Sequence, residues 1–138
     1  MIIGVEEPVI KYKKGGITFY PDYSPDKYER RTAMLIAQTG KMVEFMVSNR
    51  QKGAKTADVV IDDLIWEIKN PKGKGKYTLE RCISVASKQS ENLILDLRRM
   101  EGPYRKYLGL IKREFDNNQY LKRLKIINKA QKIIDFVK

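Results

Sequence analysis

The first third of the chain consists of short apolar runs separated by polar breaks. β-Branched and aromatic residues at 9–13 and 17–20 flank a Lys-Gly-Gly sequence at 14–16, a pattern that predicts a β-hairpin. The next break, Ser24-Pro25-Asp26, offers a capping hydroxyl, a proline suited to the first helical position and a carboxylate that complements the helix dipole. These signals predict a helix that runs from this break to a stop at Gly40.

The central part of the chain has two apolar runs around an Asp-Asp dipeptide. After a strand predicted at 42–47, Val-Val-Ile at 59–61 and Leu-Ile-Trp at 64–66 flank Asp62-Asp63, which indicates a strand, a turn and a strand. The turn type stays open, because Asp-Asp is a weaker hairpin turn than Asn-Gly. Any symmetric loop at this point gives one register. It pairs Ile61 with Leu64, Val60 with Ile65, Val59 with Trp66, and Asp58 with Glu67.

The second half of the chain alternates between helical and strand patterns. A helix is predicted over residues 78–90, which Thr78 can cap, and another over residues 103–116. Between them, residues 92–97 are strongly apolar and suit a strand in a sheet covered on both faces. The last segment, 121–137, fits one helix or two strands, and its two β-branched pairs favour a final hairpin. We therefore expect an α/β (α+β) fold with a central mixed sheet, flanking helices and a hairpin at each end.

The composition fits a single basic domain. Its 138 residues are enough for one core, which we place at about 24–98, followed by a basic part at 103–138. The formal net charge is +11, and from Arg105 onward ten Lys and Arg residues face three Asp and Glu residues. This charge predicts a polyanionic partner, nucleic acid first of all. A membrane surface is the weaker alternative, because we find no membrane anchor, signal peptide pattern or basic amphipathic helix with an aromatic face.

Two residue types are scarce enough to exclude classes of site. The chain has no histidine and a single cysteine, Cys82. An internal disulfide, a cysteine-based zinc cluster, a His-ligated zinc and a His-based nuclease are therefore excluded. Any hydrolytic chemistry has to rest on carboxylates, lysine, tyrosine or metal-bound water.

The predicted hairpin places two carboxylates, Asp58 and Glu67, opposite one another. Their Cβ atoms would lie roughly 5 Å apart on one sheet face, where like charges are destabilising. A divalent cation between them would remove that penalty, and Lys69 points to the same face as Glu67. Such a set could hold a metal, orient a water molecule and stabilise charge on a phosphate. The alternative is a solvated salt-bridge face, which is the more common origin of Glu-x-Lys on a strand.

Other charged residues could serve the same site. Glu29 lies beside the apolar stripe of the first predicted helix, so it is either a solvated first-turn residue or a site residue. The loop after Lys69 carries Lys72, Lys74 and Lys76 among glycines, which would let it close on phosphates. The alternative is a flexible, solvated loop.

The predicted element order is helix, strand, hairpin, helix, strand, and the hairpin reads Asp-x8-Glu-x-Lys. This arrangement resembles the PD-(D/E)XK nuclease superfamily. Within that superfamily, the spacing is most similar to the C-terminal tRNase toxin domains (CdiA C-terminal type) of contact-dependent growth inhibition proteins. The matching residues are Glu29, Ala57-Asp58, Trp66-Glu67-Ile68-Lys69, the segment 86–89 and the segment 92–96. One departure is Ala57, which stands where the superfamily has the proline of its name.

The resemblance implies a role for each matching residue. Asp58 and Glu67 would bind a divalent metal, Mg²⁺ in the first place, with Mn²⁺ or Zn²⁺ as alternatives. Lys69 would position the attacking water or stabilise the phosphate in the transition state. Glu29 would sit at the edge of the site, and Gln89 would contact the metal-site periphery or the substrate.

The leading hypothesis is a metal-dependent endonuclease toxin that hydrolyses RNA in the cytoplasm, with tRNA favoured by the resemblance alone. We expect four lysines to contact the substrate: Lys72, Lys74, Lys76 and Lys88. A DNA endonuclease of the same superfamily fits the residues equally well. A third hypothesis is a non-enzymatic, basic nucleic-acid-binding protein in which Asp58 and Glu67 are structural. Because the producer of a toxin needs protection, we also expect an acidic immunity protein that covers the lysine loop and the site.

Overall fold

The computed structural model describes residues 9–11, 15–18, 25–46 and 59–138, with three helices and eight strands among them. The helices are α1 (Lys27–Gln38), α2 (Lys76–Ser87) and α3 (Tyr104–Asn117). The strands are β1 (Val9–Lys11), β2 (Gly16–Thr18), β3 (Met42–Phe45), β4 (Val59–Ile61), β5 (Leu64–Lys69), β6 (Asn92–Asp96), β7 (Arg123–Ile127) and β8 (Ile133–Val137). None of the helices in these ranges is long and apolar enough to cross a membrane.

All eight described strands form one mixed sheet in which the spatial order follows the chain order, from β1 to β8. β2 runs parallel to β3, and β6 runs parallel to both β5 and β7, while the other neighbours are antiparallel. The predicted mixed sheet is therefore confirmed. So are the hairpins at the two ends, formed by β1 with β2 and by β7 with β8.

The central hairpin has the predicted register. Val59 pairs with Trp66, Val60 with Ile65, and Ile61 with Leu64. The two turn residues, Asp62 and Asp63, have φ angles of 52° and 64°. Two successive residues with positive φ are typical of a type I′ turn, whose twist matches that of the flanking strands. Asp58, the predicted partner of Glu67, lies outside the described residues.

Two of the predicted helix starts are wrong. α1 is capped by Asp26 rather than by Ser24, because Asp26 Oδ1 accepts hydrogen bonds from the backbone N–H groups of Tyr28 (2.6 Å) and Glu29 (3.2 Å). α2 begins two residues before Thr78, directly after Gly75, whose φ of 116° suits glycine. The predicted stop of α1 is confirmed, since Gly40 has a φ of 104° and its N–H donates to the carbonyl of Ala37.

The sheet is covered on both faces. α1 packs on one face, where Ile36 and Ala37 meet Val43, Phe45 and other buried strand residues. α2 and α3 pack on the opposite face and form a second apolar cluster. β6 contributes to both, with Ile94 in the first cluster and Leu93 and Leu95 in the second. All five residues of β6 are buried, so the prediction of a strand covered on both faces is confirmed.

Candidate active site

A cleft of about 280 Å³ opens where β5 ends beside the beginning of α1. β5 supplies Glu67, which is only 4% exposed, and Lys69, whose Nζ lies 3.4 Å from Glu67 Oε1. Both point to the face covered by α2, because they lie beside Leu93 and Leu95 on β6. Burying a carboxylate is unfavourable unless an opposite charge or hydrogen bonds compensate, and the Lys69 ammonium supplies that charge.

The start of α1 forms the other wall of this cleft. Asp26, Tyr28 and Glu29 all line it, with Asn70 and Arg99 completing the mouth. The capped first turn holds these side chains in place, because the Asp26 carboxylate binds the backbone N–H groups of Tyr28 and Glu29. Glu29 Oε2 is buried. The structure thus brings Glu29, Glu67 and Lys69 together at one cleft.

A buried network beneath the cleft ties three elements together. The hydroxyl of Thr32 on α1 lies 2.6 Å from Oδ2 of Asp96, the last residue of β6, and 3.1 Å from Oδ1 of Asn70. Asp96 in turn accepts hydrogen bonds from the guanidinium of Arg98, with Nη2 at 2.8 Å from Oδ2. Because the residues just beyond β5 and β6 and the second turn of α1 are joined in this way, the walls of the cleft are held at a fixed spacing.

Two cleft residues, Tyr28 and Arg99, were not predicted from the sequence. The Arg99 guanidinium carbon lies 3.5 Å from the centroid of the Tyr28 ring, and its Nη1 is 3.4 Å from the carbonyl oxygen of Asn70. Stacking on an aromatic face orients the planar guanidinium and leaves its other N–H groups for a ligand. The available signal was the position of Arg99 after β6, because parallel strands such as β5 and β6 end at the same edge of a sheet.

Cys82 on α2 lies under the same site. Burial raises the pKa of its thiol from 9.0 to about 11, the positive charge of Lys69 opposes this increase, and the negative charge of Glu67 adds to it. The thiol is therefore protonated at neutral pH. It is neither a nucleophile nor a metal ligand in that state, since both functions need the thiolate.

Two other predicted site residues, Lys88 and Gln89, lie away from the cleft. Asp58 lies outside the described residues. Gln89 directly follows Lys88, the C-cap of α2, and its Oε1 is buried without a hydrogen-bond donor in the described part of the chain. Neither Gln89 nor Lys88 lines the cleft.

The lysine loop contributes none of its three lysines to the lining of the cleft. Its backbone is pinned at Gly73, whose carbonyl accepts a 2.7 Å hydrogen bond from the N–H of Glu101 and which forms a bridge with Met100. Lys74 and Lys76 consequently line a different groove, beside α3. Lys72 is exposed and lines neither of the two concavities.

The described side chains fit a divalent cation in part. Glu67 and Glu29 offer carboxylate oxygens, which are the donors that Mg²⁺ and Mn²⁺ prefer. Residues 9–11, 15–18, 25–46 and 59–138 contain no group of three or more Cys, Asp or Glu side chains arranged to hold a metal ion. A complete set of ligands therefore needs a group outside these ranges, such as Asp58, or oxygens from water and substrate.

Comparisons with known proteins point to one family. The model of the contact-dependent growth inhibition CdiA C-terminal domain matches residues 55–133, a range that contains Asp58, Glu67, Lys69 and Gln89. Among solved structures, the chain is similar to one described as "CdiA-CT/CdiI toxin and immunity complex from Burkholderia pseudomallei". The TM-score is 0.60 and the sequence identity 18%, over 88% of this chain and 98% of that one. None of the curated proteins compared with the chain matches it.

Proposed function

Because the chain belongs to the contact-dependent growth inhibition CdiA C-terminal domain family, we propose that it is a toxin domain with metal-dependent endonuclease activity. Its reaction would be hydrolysis of a phosphodiester bond in RNA, with tRNA as the favoured substrate. The observation that carries this proposal is the buried Glu67 beside Lys69, 3.4 Å apart, at a cleft that Glu29 also lines. The net charge of +11 suits a polyanionic substrate.

The side chains have separate tasks in this proposal. Glu67 and Asp58 would hold the cation, with Glu29 at the edge of the site and Gln89 at its periphery. A bound Mg²⁺ lowers the pKa of water and neutralises phosphate charge. Lys69 would orient the attacking water or stabilise the negative charge that develops on the phosphate. Burial of Glu67 strengthens these electrostatic interactions, because the effective dielectric constant falls in the interior.

We also propose that this site is a divergent member of the PD-(D/E)XK group of nucleases. The supporting features are the Glu-x-Lys sequence on β5, the antiparallel pairing of β4 with β5, and the acidic residue that α1 brings to the same cleft. The toxin would act in the cytoplasm of a target cell, where tRNA is found.

An immunity protein is the partner that we propose. The similar Burkholderia pseudomallei structure is a complex of toxin and immunity proteins. The positive net charge of the chain would attract an acidic partner and steer its association. Such a protein would inhibit the toxin by covering the cleft and the loop that carries Lys72.

The test is cleavage of total tRNA and of plasmid DNA, each with Mg²⁺ or with EDTA, by the native chain and by Lys69→Ala. Lys41→Ala is the matched control, because Lys41 also pairs with a carboxylate, Asp62, but lies away from the cleft. The proposal requires Mg²⁺-dependent loss of tRNA with the native chain and Lys41→Ala, and none with Lys69→Ala. Cleavage of the plasmid alone would instead identify a DNA endonuclease, and no cleavage with any divalent metal would contradict the enzymatic proposal.

A further inference from the structure

A second, larger concavity lies apart from the cleft, at the N-terminal ends of α2 and α3. This basic groove has a volume of about 730 Å³. Its lining comes from the end of the lysine loop, the segment before α3 and the first turns of α3. The lining residues are Lys74, Gly75, Lys76, Gly102, Pro103, Arg105, Lys106, Tyr107, Gly109, Leu110 and Arg113.

The charge of the basic groove has one sign. None of its lining side chains is a carboxylate, and five are cationic: Lys74, Lys76, Arg105, Lys106 and Arg113. All five are exposed, and none forms an ion pair within the part of the chain that the structure describes. Lys112, on the same helix but outside the groove, does have a partner, Asp116 at 3.9 Å. Five neighbouring cations repel one another, and a bound anion would relieve that repulsion.

The positions of three of these cations on the helices add to the unfavourable electrostatic energy of the groove. The first turns of α2 and α3 contain no acidic residue, and neither helix has a side-chain cap. Lys76, Arg105 and Lys106 instead occupy those turns, where the helix dipole disfavours positive charge. α1 follows the opposite and usual pattern, with the Asp26 cap and Glu29 in its first turn. An anion in the basic groove would accept hydrogen bonds from the uncapped N–H groups as well as from the side chains.

The floor of the groove leaves room for more than an anion alone. Tyr107 and Leu110 are buried and form an apolar base. Gly109 lies between them in sequence, and a Cβ atom placed there would meet nothing within 4 Å. A ligand with apolar parts between its charges, such as the sugars and bases between phosphates, can therefore lie along this surface.

The groove and the cleft are joined by a short, fixed connection. Lys69 lines the cleft and Lys74 lines the groove, so the two side chains are attached five residues apart and their Cα atoms are at most about 18 Å from one another. The hydrogen bond between Gly73 and Glu101 holds the connecting loop against the segment that leads into α3. A single extended polyanion could therefore contact both sites.

We infer that the basic groove binds the phosphodiester backbone of the nucleic acid whose scissile bond lies in the cleft. The inference rests on the proposed nuclease function for the identity of that polymer. It separates two tasks, because the cleft performs the chemistry while the groove supplies affinity and fixes which bond reaches Lys69. The cations and uncapped N–H groups favour phosphates over an acidic protein surface, since phosphate oxygens accept several such hydrogen bonds at once.

The test compares two adjacent residues of α3. Arg113→Glu changes the groove, and Lys112→Glu changes the outer side of the same helix; both side chains are exposed. Binding of a fluorescein-labelled tRNA transcript is measured by anisotropy in EDTA, where no cleavage occurs, over a series of KCl concentrations. We expect Arg113→Glu to raise the Kd at least 10-fold and to lower the slope of log Kd against log salt by about 0.7–0.9. Lys112→Glu should change the Kd by less than 3-fold.

A neutral variant gives a second readout. Gly109→Gln places a side chain in the basic groove without changing the net charge, and the open space at this position allows it. It should weaken tRNA binding although the protein keeps its thermal stability. Equal effects of Arg113→Glu and Lys112→Glu, or unchanged binding by Gly109→Gln, would overturn the inference. So would variants that lose binding of an acidic protein partner but not of tRNA.

Failure of the inference is distinguishable from failure of the nuclease function. If the native chain cleaves tRNA but the three variants bind it equally well, the nuclease proposal stands and the groove proposal is overturned. If the native chain cleaves nothing but the variants differ as expected, the groove is a nucleic-acid site and the enzymatic proposal is contradicted.

Discussion

The hydroxyl of Thr32 lies 2.6 Å from Oδ2 of Asp96, and both residues are almost fully buried, at 0% and 2% exposure. This contact joins α1, which carries Glu29 to the cleft, to the end of β6, which is the neighbour of β5. Arg98 compensates the negative charge of Asp96 from the other side. The geometry of the cleft therefore depends on Asp96, which does not line it.

The first prediction compares two ion pairs of similar length and different burial. Asp96 and Arg98 lie 2.8 Å apart with side chains 3% and 13% exposed, whereas Asp62 and Lys41 lie 2.6 Å apart with side chains 57% and 43% exposed. Asp96→Asn should lower the free energy of unfolding by about 3 kcal/mol, because it leaves the Arg98 charge buried without its partner. Asp62→Asn should lower it by less than about 1 kcal/mol. Urea unfolding at pH 7 measures both, and equal losses would contradict the assignment of Asp96 as structural.

The second prediction concerns two consecutive arginines with different surroundings. Arg99 lines the cleft and has no carboxylate partner in the described part of the chain, whereas Arg98 is bound to Asp96. Arg99→Gln should therefore reduce kcat/KM for tRNA cleavage by about 10-fold or more, with little loss of stability. Arg98→Gln should mainly destabilise the fold, by about 3 kcal/mol.

Tyr28 provides the control for this pair. Tyr28→Phe keeps the aromatic ring under the Arg99 guanidinium and should retain activity, whereas Tyr28→Leu removes the stacking surface and should not. Kinetics of tRNA cleavage together with thermal unfolding separate the two effects. An active Arg99→Gln would show that Arg99 does not contact the substrate.

The third prediction follows from the raised pKa of the Cys82 thiol. Its value is about 11 in the folded chain against 9.0 as the ordinary value, so the thiol stabilises the fold fully below pH 9 and this contribution is lost as the pH rises to 11. The native chain should lose about 2 kcal/mol more than Cys82→Ala across that interval. At pH 8, alkylation by iodoacetamide should be roughly 100-fold slower than for an ordinary thiol, since the thiolate fraction is that much smaller. Labelling followed by mass spectrometry measures this rate, and rapid labelling would contradict the burial of the thiol.

The fourth prediction uses two glycines with opposite surroundings. A Cβ atom at Gly15 would lie 2.8 Å from the backbone nitrogen of Lys41 and closer still to the carbonyl oxygens of Ala37 and Lys41. Gly15→Ala should therefore destabilise the fold by about 1–3 kcal/mol, because the backbone atoms have to move. Gly109→Ala should instead stabilise it by about 0.5–1 kcal/mol, since alanine is the better helix former and the space is open. Thermal unfolding of the two variants should shift in opposite directions.

The sequence predicted the sheet better than it predicted the helix starts. Alternation around Asp62-Asp63 determined the register of the central hairpin, because any symmetric loop there pairs the same residues. The predicted starts of α1 and α2 were wrong because several residues in each stretch can cap a helix. Asp26 and Gly75 hold those positions, and only the path of the chain decides among the candidates.

The residues alone predicted the part of the site that is local in sequence, whereas Glu29 was expected at its edge from the family resemblance. Glu67 and Lys69 share one face of one strand, so their proximity follows from strand periodicity. The contact between Tyr28 and Arg99 joins distant parts of the chain and depends on how α1 packs beside β6. Likewise, Lys74 and Lys76 were expected at the site. They line the basic groove instead because Gly73 pairs with Met100 and Glu101, a contact that no local pattern reveals.

The order of the eight described strands has a consequence for folding. Each strand pairs with the strand that precedes it in the chain, so no strand has to be inserted between two strands that are already paired. The steps differ in loop-closure entropy, because paired residues are 26 to 31 residues apart in the three parallel ladders and at most 18 residues apart in the four antiparallel ones. A force applied to one terminus would break the hydrogen bonds between one pair of strands at a time and leave the rest of the sheet paired. A domain with this arrangement can unravel progressively from an end and be rebuilt by the same steps in reverse.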